Sequence, residues 1–170
     1  MSAVDLVILE RVKWDWFVSC TVKRRDASDI YLTKKCFALL RWIARQNKIY
    51  FPRMPFALRI ESGASPEHRH FHFLVGGLRN TGTSMRFAAI NRWCYLVGTK
   101  NPENPKGTCR VRLYDGSRGA ACYLSSVLNA AEYRGWSEGL LRISHSAYAF
   151  ARQGLFNTAE GIRGLSPFVG

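Results

Sequence analysis

The stretch from Phe56 to Leu78 limits the possible folds more than any other part of the chain. Residues 56–62 (FALRIES) and 68–78 (HRHFHFLVGGL) have the composition of β-strands, and GASPE between them contains the Gly and Pro of a turn. Two such strands joined by a short turn predict a β-hairpin. The protein is therefore expected to contain an antiparallel sheet.

Five further segments around this hairpin can be assigned from their composition and periodicity. Strands are expected at 16–22 and 108–115, and helices at 33–47, 83–97 and 118–133. Thr83 or Ser84 is expected to cap the second of these helices. The pattern predicts an α+β protein, with a central antiparallel β-sheet of about four to five strands and flanking α-helices. We assign residues 1–140 to one domain and residues 141–170 to a C-terminal extension that packs on it or trails from it, with a short helix at 147–153.

The net charge is strongly positive: 25 Lys and Arg residues oppose 12 Asp and Glu residues, which gives +13. A small domain with this excess of cations usually meets a polyanion, because each cation near a phosphate releases condensed counterions. Ribosomal and membrane-surface proteins share the trait, so charge alone does not choose among them. It favours a nucleic-acid partner.

The five cysteines are scattered, odd in number and set mostly in apolar runs, with no CxxC pair among them. This pattern predicts neither a zinc knuckle nor a disulfide framework, but buried free thiols in a reducing compartment. The N-terminus lacks a basic segment followed by a long apolar stretch, and no 18 consecutive residues are apolar. We therefore expect a cytoplasmic protein without a secretion signal or a membrane span.

Histidines and a carboxylate in the hairpin have the spacing of a metal site. Because side chains on a strand alternate between its faces, His70 and His72 share one face and lie about 7 Å apart. Glu61 lies near the end of the preceding strand, from which its carboxylate can reach the same ion. Two imidazoles and a carboxylate suit a divalent cation such as Mg²⁺ or Mn²⁺, and zinc accepts the same ligands. Histidines on a half-buried sheet face can also be hydrogen-bonded core residues, which is the alternative.

Three segments, in order along the chain, resemble the HUH family of rolling-circle replication initiators, relaxases and related transposases. HFHFLV is similar to the signature of histidine, bulky hydrophobe and histidine, and WFVSCTV is similar to the first family motif. RVRLYDGSRGAACYLSSVLN resembles the third motif, a strand, a turn and a helix that carries the nucleophilic tyrosine. The resemblance spans about residues 14–134 and implies a ferredoxin- or RRM-like HUH endonuclease fold.

The same resemblance implies that Tyr123 is the nucleophile and that Glu61, His70 and His72 bind the metal. The phenol has an ordinary pKa near 10, so it needs a nearby cation to react at neutral pH. Ser126 stands where the family pattern has lysine, and Arg118 is the candidate to replace its phosphate contact. A second tyrosine, present in some members, is absent here, so a single nick-and-rejoin cycle is expected.

The implied function is a metal-dependent, site-specific single-strand DNA endonuclease and ligase. It would initiate rolling-circle replication or mobile-element transfer through a 5′-phosphotyrosine intermediate, in a plasmid, phage or mobile-element setting. The partner would be a single-stranded or hairpin DNA origin. A host or separate helicase would unwind the duplex, and the oligomeric state is left open. Contacts to the DNA are expected from Lys23, Arg24, Arg25, Arg110, Arg112 and Arg118.

Two other functions compete with this interpretation. A non-catalytic or degenerate nucleic-acid-binding module of the same fold would need exposed aromatic residues on the sheet face where the histidines lie. Histidines there, rather than Phe or Tyr, count against this module. For the endonuclease, Trp14 or Trp16 is a candidate for stacking on unpaired bases. A cupin-like metal enzyme would carry its carboxylate after the histidine pair, whereas Glu61 precedes it.

Overall fold

A five-stranded antiparallel sheet with helices confirms the α+β prediction. The computed structural model describes residues 8–23, 28–62, 68–99, 103, 105–118, 124 and 140–160. The strands are β1 (Trp14–Lys23), β2 (Phe56–Ser62), β3 (His68–Gly76), β4 (Cys109–Leu113) and β5 (Leu140–Ile143). The long helices are α1 (Asp29–Gln46), α2 (Thr83–Val97) and α3 (His145–Glu160), with 3-10 turns at Phe51–Arg53 and Gly116–Arg118.

The strand order is β4-β1-β3-β2-β5, and every neighbouring pair is antiparallel. The first six long elements run β1-α1-β2-β3-α2-β4, which is the split βαβ arrangement of ferredoxin-like folds. β2 and β3 form the hairpin that the sequence predicted. β1 and β3 lie side by side inside the sheet. β4 pairs with the other side of β1, and β2 pairs with the other side of β3.

Helices α1 and α2 cover the first face of the sheet. The main core lies there and includes Trp16, Phe71, Phe73 and Trp93, none of which is exposed. α1 begins four residues earlier than predicted, because the side chain of Ser28 caps it by accepting a hydrogen bond from the backbone N–H of Tyr31.

The predicted cap of α2 is wrong by one residue. Gly82 occupies the N-cap position and makes no side-chain cap bond. Thr83 is already helical, and its hydroxyl accepts a hydrogen bond from the Arg86 guanidinium at 2.9 Å. The helix ends at Val97 and is capped by Gly98, whose φ of 80° lies in the left-handed region that favours glycine.

A second, smaller core covers one end of the second face. A helical turn at residues 8–11, the helical residue Leu124 and the start of α3 meet the strands there. The buried members of this second-face cluster are Ile8, Leu9, Val12, Trp14, Ala57, Leu74, Leu124, Ala147 and Ala151. Apolar residues therefore cover both faces of the sheet. On the second face, the buried strand residues of the described cluster are Trp14, Ala57 and Leu74.

The chain from residue 140 onward supplies β5 and α3. β5 pairs with β2 and forms an edge of the sheet, although no strand was predicted there. Four residues, LLRI, are too few for their periodicity to distinguish a strand from a helix. The predicted helix at 147–153 falls inside the longer α3. Within the described ranges, every helix is too short or too polar to cross a bilayer.

Candidate active site

The two histidines share the second face of the sheet, as strand alternation predicted. Their neighbours on β3, Phe71 and Phe73, point into the core on the first face. His70 is half-buried and His72 is 7% exposed. Both belong to an internal strand, so a partner strand flanks each imidazole on either side.

The register of the hairpin brings Glu61 to the histidines. Glu61 lies directly opposite His70, and Thr21 of β1 lies opposite His70 on its other side. Directly opposite residues of an antiparallel pair have Cβ atoms about 4.5–5.5 Å apart. The backbone therefore places the carboxylate-bearing residue next to an imidazole, while the side chain of Glu61 lies outside the described part of the structure.

His72 has a more enclosed environment. Its ring stacks on that of Phe17, with centroids 5.7 Å apart and planes inclined by 1°. Ser19 lies opposite it on β1, and Arg59 lies opposite it on β2. Arg59 is only 3% exposed, so a buried guanidinium shares the cross-strand row of a buried imidazole.

Arg59 also connects this row to the segment of the predicted nucleophile. Its Nη1 donates a hydrogen bond to the backbone carbonyl oxygen of Leu124 at 2.8 Å. Leu124 is helical and fully buried in the second-face cluster. Tyr123 precedes it in the sequence and lies outside the described residues, as do Ser126 and Val127.

The donor set fits a divalent cation as far as the described atoms extend. His70 and His72 share a face, and Glu61 occupies the register position beside them. Two nitrogens and a carboxylate suit Mn²⁺ or Zn²⁺, whereas Mg²⁺ prefers oxygen and would depend mainly on the carboxylate and on water. Among the described side chains, no three His, Cys, Asp or Glu residues cluster closely enough to hold a metal. That absence does not extend to His70, His72 and Glu61 together, because the side chain of Glu61 lies outside the described part of the structure.

Two of the arginines that were predicted to contact DNA lie on β4, which is separated from the histidine-bearing strand β3 by β1. Arg110 is opposite Ser19 and Arg112 is opposite Phe17, so they share the second face, and both are exposed. Lys23 is exposed at the end of β1. Arg24 and Arg25 lie outside the described residues, and so does the side chain of Arg118, whose backbone ends a 3-10 turn.

The prediction that Trp14 or Trp16 stacks on bases is wrong, because both are buried, at 4% and 0% exposure. The β1–β3 register shifts between these two residues. Such a bulge breaks strict alternation. Trp14 consequently packs in the second-face cluster, while Trp16 packs in the core on the first face.

The described cysteines are free, as predicted, and Cys20, Cys36 and Cys109 are buried in the main core on the first face of the sheet. Cys20 and Cys109 face each other across β1 and β4 with their sulfur atoms 3.2 Å apart. Burial raises the pKa of the Cys20 and Cys36 thiols well above its ordinary value. These thiols are therefore neutral and unreactive at physiological pH. Cys122 lies outside the described residues.

Sequence reasoning overlooked Arg59 and Phe17. Arg59 has the same strand parity as Glu61, which was a usable signal for placing it on the histidine face. No protein-family model and no curated protein matches the sequence.

Proposed function

We propose that the chain is a metal-dependent, site-specific single-strand DNA endonuclease and ligase of the HUH type, with Tyr123 as its nucleophile. One observation carries the proposal: Leu124, the next residue after Tyr123, is buried on the sheet face that bears His70 and His72, in hydrogen-bond contact with Arg59. Phosphoryl transfer to a tyrosine requires its phenol and the metal ligands on one side of the sheet. The position of Leu124 supports that requirement.

His70, His72 and Glu61 would hold a Mg²⁺ or Mn²⁺ ion. When bound, the ion polarises the scissile phosphate and stabilises the charge that develops on it. Strands β2 and β3 fix the backbone positions of the three ligands, and the stack on Phe17 restricts the rotation of the His72 ring. The backbones of the three proposed ligands and the ring of His72 would thus be in place before DNA arrives, which would reduce the reorganisation that the reaction needs.

In the proposed reaction, the phenolic oxygen of Tyr123 attacks the phosphorus and the bond to the 3′ oxygen breaks. The phenolic proton leaves to solvent, and the departing 3′ oxygen takes up a proton. The products are a 5′-phosphotyrosine ester and a free 3′-hydroxyl. Because the ester replaces one phosphodiester with another, the 3′-hydroxyl can attack it, release Tyr123 and rejoin the strand.

The substrate is proposed to be a single-stranded or hairpin DNA origin of a rolling-circle or mobile-element replicon. Arg110 and Arg112 project from β4 beside the histidine rows, where they can contact phosphates that flank the scissile one. Lys23 lies at the end of β1, beyond the row that contains His70. We place the reaction in the cytoplasm, with unwinding by a host or separate helicase.

The proposal is tested with labelled hairpin oligonucleotides carrying randomised loops, incubated with Mn²⁺ and resolved on a denaturing gel. The wild-type protein should give a covalent protein–DNA band that EDTA abolishes. Tyr123→Phe and His70→Ala should give none. Tyr95→Phe is the matched control, because Tyr95 is exposed on α2, and it should retain the band.

A second candidate function is a binding module of the same fold that has lost its chemistry. Ser126 favours it, since it replaces the lysine of the family pattern. Tight, salt-dependent DNA binding without a covalent band on any oligonucleotide in the library would establish this function and refute the nickase.

A further inference from the structure

We propose that Arg59 is a positioning residue for strand cleavage, and that it fixes Leu124, the residue that follows Tyr123, against the histidine-bearing strands. The inference rests on the proposed function. It concerns a residue outside the three sequence motifs that resemble the HUH family, and it starts from the hydrogen bond between Arg59 and Leu124.

Arg59 is buried although its side chain carries a charge. A guanidinium is charged at all accessible pH values, and only 3% of Arg59 is exposed. Removing a charge from water is costly unless hydrogen bonds replace the lost hydration. Its bond of 2.8 Å to the Leu124 carbonyl oxygen is therefore a charge-assisted bond in a site of low polarity, where such bonds are strong.

The hydrogen bond to Leu124 starts from β2, the strand that also carries Glu61. Arg59 lies opposite His72 and two residues before Glu61 on the same face of β2. One strand thus carries a proposed metal ligand and the side chain that holds the Leu124 segment. A shift of this segment relative to β2 would change the separation between Tyr123 and the ligands.

The Leu124 side chain alone does not fix the segment in the same way. Its apolar contacts are non-directional and tolerate sliding, whereas a hydrogen bond to the backbone defines both distance and direction. Arginine suits the role because its planar group is rigid and presents several donors. Lysine would keep the charge but offers a flexible, single point of attachment.

The test separates catalysis from binding and from folding. Single-turnover cleavage of a selected oligonucleotide is measured for wild type, Arg59→Met and Arg59→Lys. The dissociation constant comes from fluorescence anisotropy and the Tm from circular dichroism. Arg142→Met is the matched control, because Arg142 is an exposed arginine on the neighbouring strand β5.

We expect Arg59→Met to slow cleavage by about 10²-fold, the cost of a misplacement of roughly 1 Å. Its dissociation constant for DNA should stay within about threefold of the wild-type value, since Arg59 is buried away from solvent. Arg59→Lys should be slowed by roughly tenfold at an unchanged Tm, because its attachment is looser. Arg142→Met should match wild type in all three measurements.

Wild-type cleavage rates in a folded Arg59→Met would overturn the inference. If Arg59→Met does not fold, Arg59→Lys decides, and a wild-type rate in that variant overturns the inference too. A wild-type protein that forms no covalent adduct refutes the proposed function itself, and the role of Arg59 falls with it. The two failures are thus distinguishable.

Discussion

Metal binding at His70, His72 and Glu61 should appear as an increase in thermal stability, independently of any DNA chemistry. A ligand that binds only the folded state stabilises it by RT ln(1 + [L]/Kd), about 2.7 kcal/mol at 100 times Kd. For a chain of 170 residues, each kcal/mol raises the Tm by about 2–4 °C. Saturating Mn²⁺ should therefore raise the wild-type Tm by roughly 5–11 °C.

The two histidines should differ in the absence of metal. His72 is 7% exposed and stacks on Phe17, so His72→Ala loses a ring stack of about 0.5–1.5 kcal/mol together with its burial. A total loss of stability near 2 kcal/mol predicts a fall in Tm of about 4–8 °C in EDTA. His70 is only half-buried, so His70→Ala should change the Tm in EDTA much less.

Differential scanning fluorimetry with and without Mn²⁺ measures both effects. Both variants should lose the metal-dependent increase in Tm. His145→Ala is the control, since His145 is an exposed histidine at the start of α3, and it should keep the full increase. A full increase in His70→Ala or His72→Ala would show that the ion binds elsewhere and would refute the assignment of these ligands.

Three further predictions concern the DNA surface, the fold and the thiols. The double variant Arg110→Gln/Arg112→Gln should bind single-stranded DNA with a salt slope (log K against log salt) reduced by about 1.4, measured by anisotropy, whereas Arg142→Gln should keep the wild-type slope. Gly76→Ala should lower the free energy of unfolding by roughly 1–3 kcal/mol in urea titrations, because its new Cβ would lie 2.6 Å from a backbone carbonyl oxygen. The pKa of buried Cys36 is raised above its ordinary 9.0, so its stabilising contribution is complete below pH 9 and is lost as the pH rises beyond it. Unfolding titrations of Cys36→Ala above pH 9 should show a slope shallower than that of wild type by about 1.4 kcal/mol per pH unit.

Strand alternation was sufficient to predict the histidine face, because side-chain period 2 is a local property of the backbone. Alternation does not extend across Trp14 and Trp16, because a bulge shifts the β1–β3 register between them and they pack on opposite faces of the sheet. The position of Glu61 depended on the length of the hairpin turn and was predicted once the hairpin was assigned.

Tertiary contacts explain what the sequence could not show. Arg59 has the charge of a surface residue, yet it is buried, and its guanidinium donates a hydrogen bond to the carbonyl oxygen of Leu124. β5 is a strand because the edge of β2 offers it hydrogen-bond partners, although its four residues carry no periodic signal. Both outcomes depend on residues far away in the sequence, which a local pattern does not encode.

The location of the proposed site follows from a gradient along the second face. On β3 the side chains pass from Leu74, which is fully buried, through His72 to the half-buried His70. On β2 the residues opposite these three are, in the same order, Ala57, Arg59 and Glu61.

At the apolar end of this gradient, Ala57 and Leu74 belong to the cluster that contains Leu124 and the start of α3. At the other end, the strands carry imidazoles and a carboxylate. Among the described residues, the proposed ligands begin where the apolar second-face cluster ends, and Arg59 and His72 occupy the row at that boundary. A phenol attached beside Leu124 would reach the ions and phosphates from the covered side, whereas DNA would approach from the polar side. This division of the sheet face is the physical reason for placing the nucleophile and the metal ligands in one site.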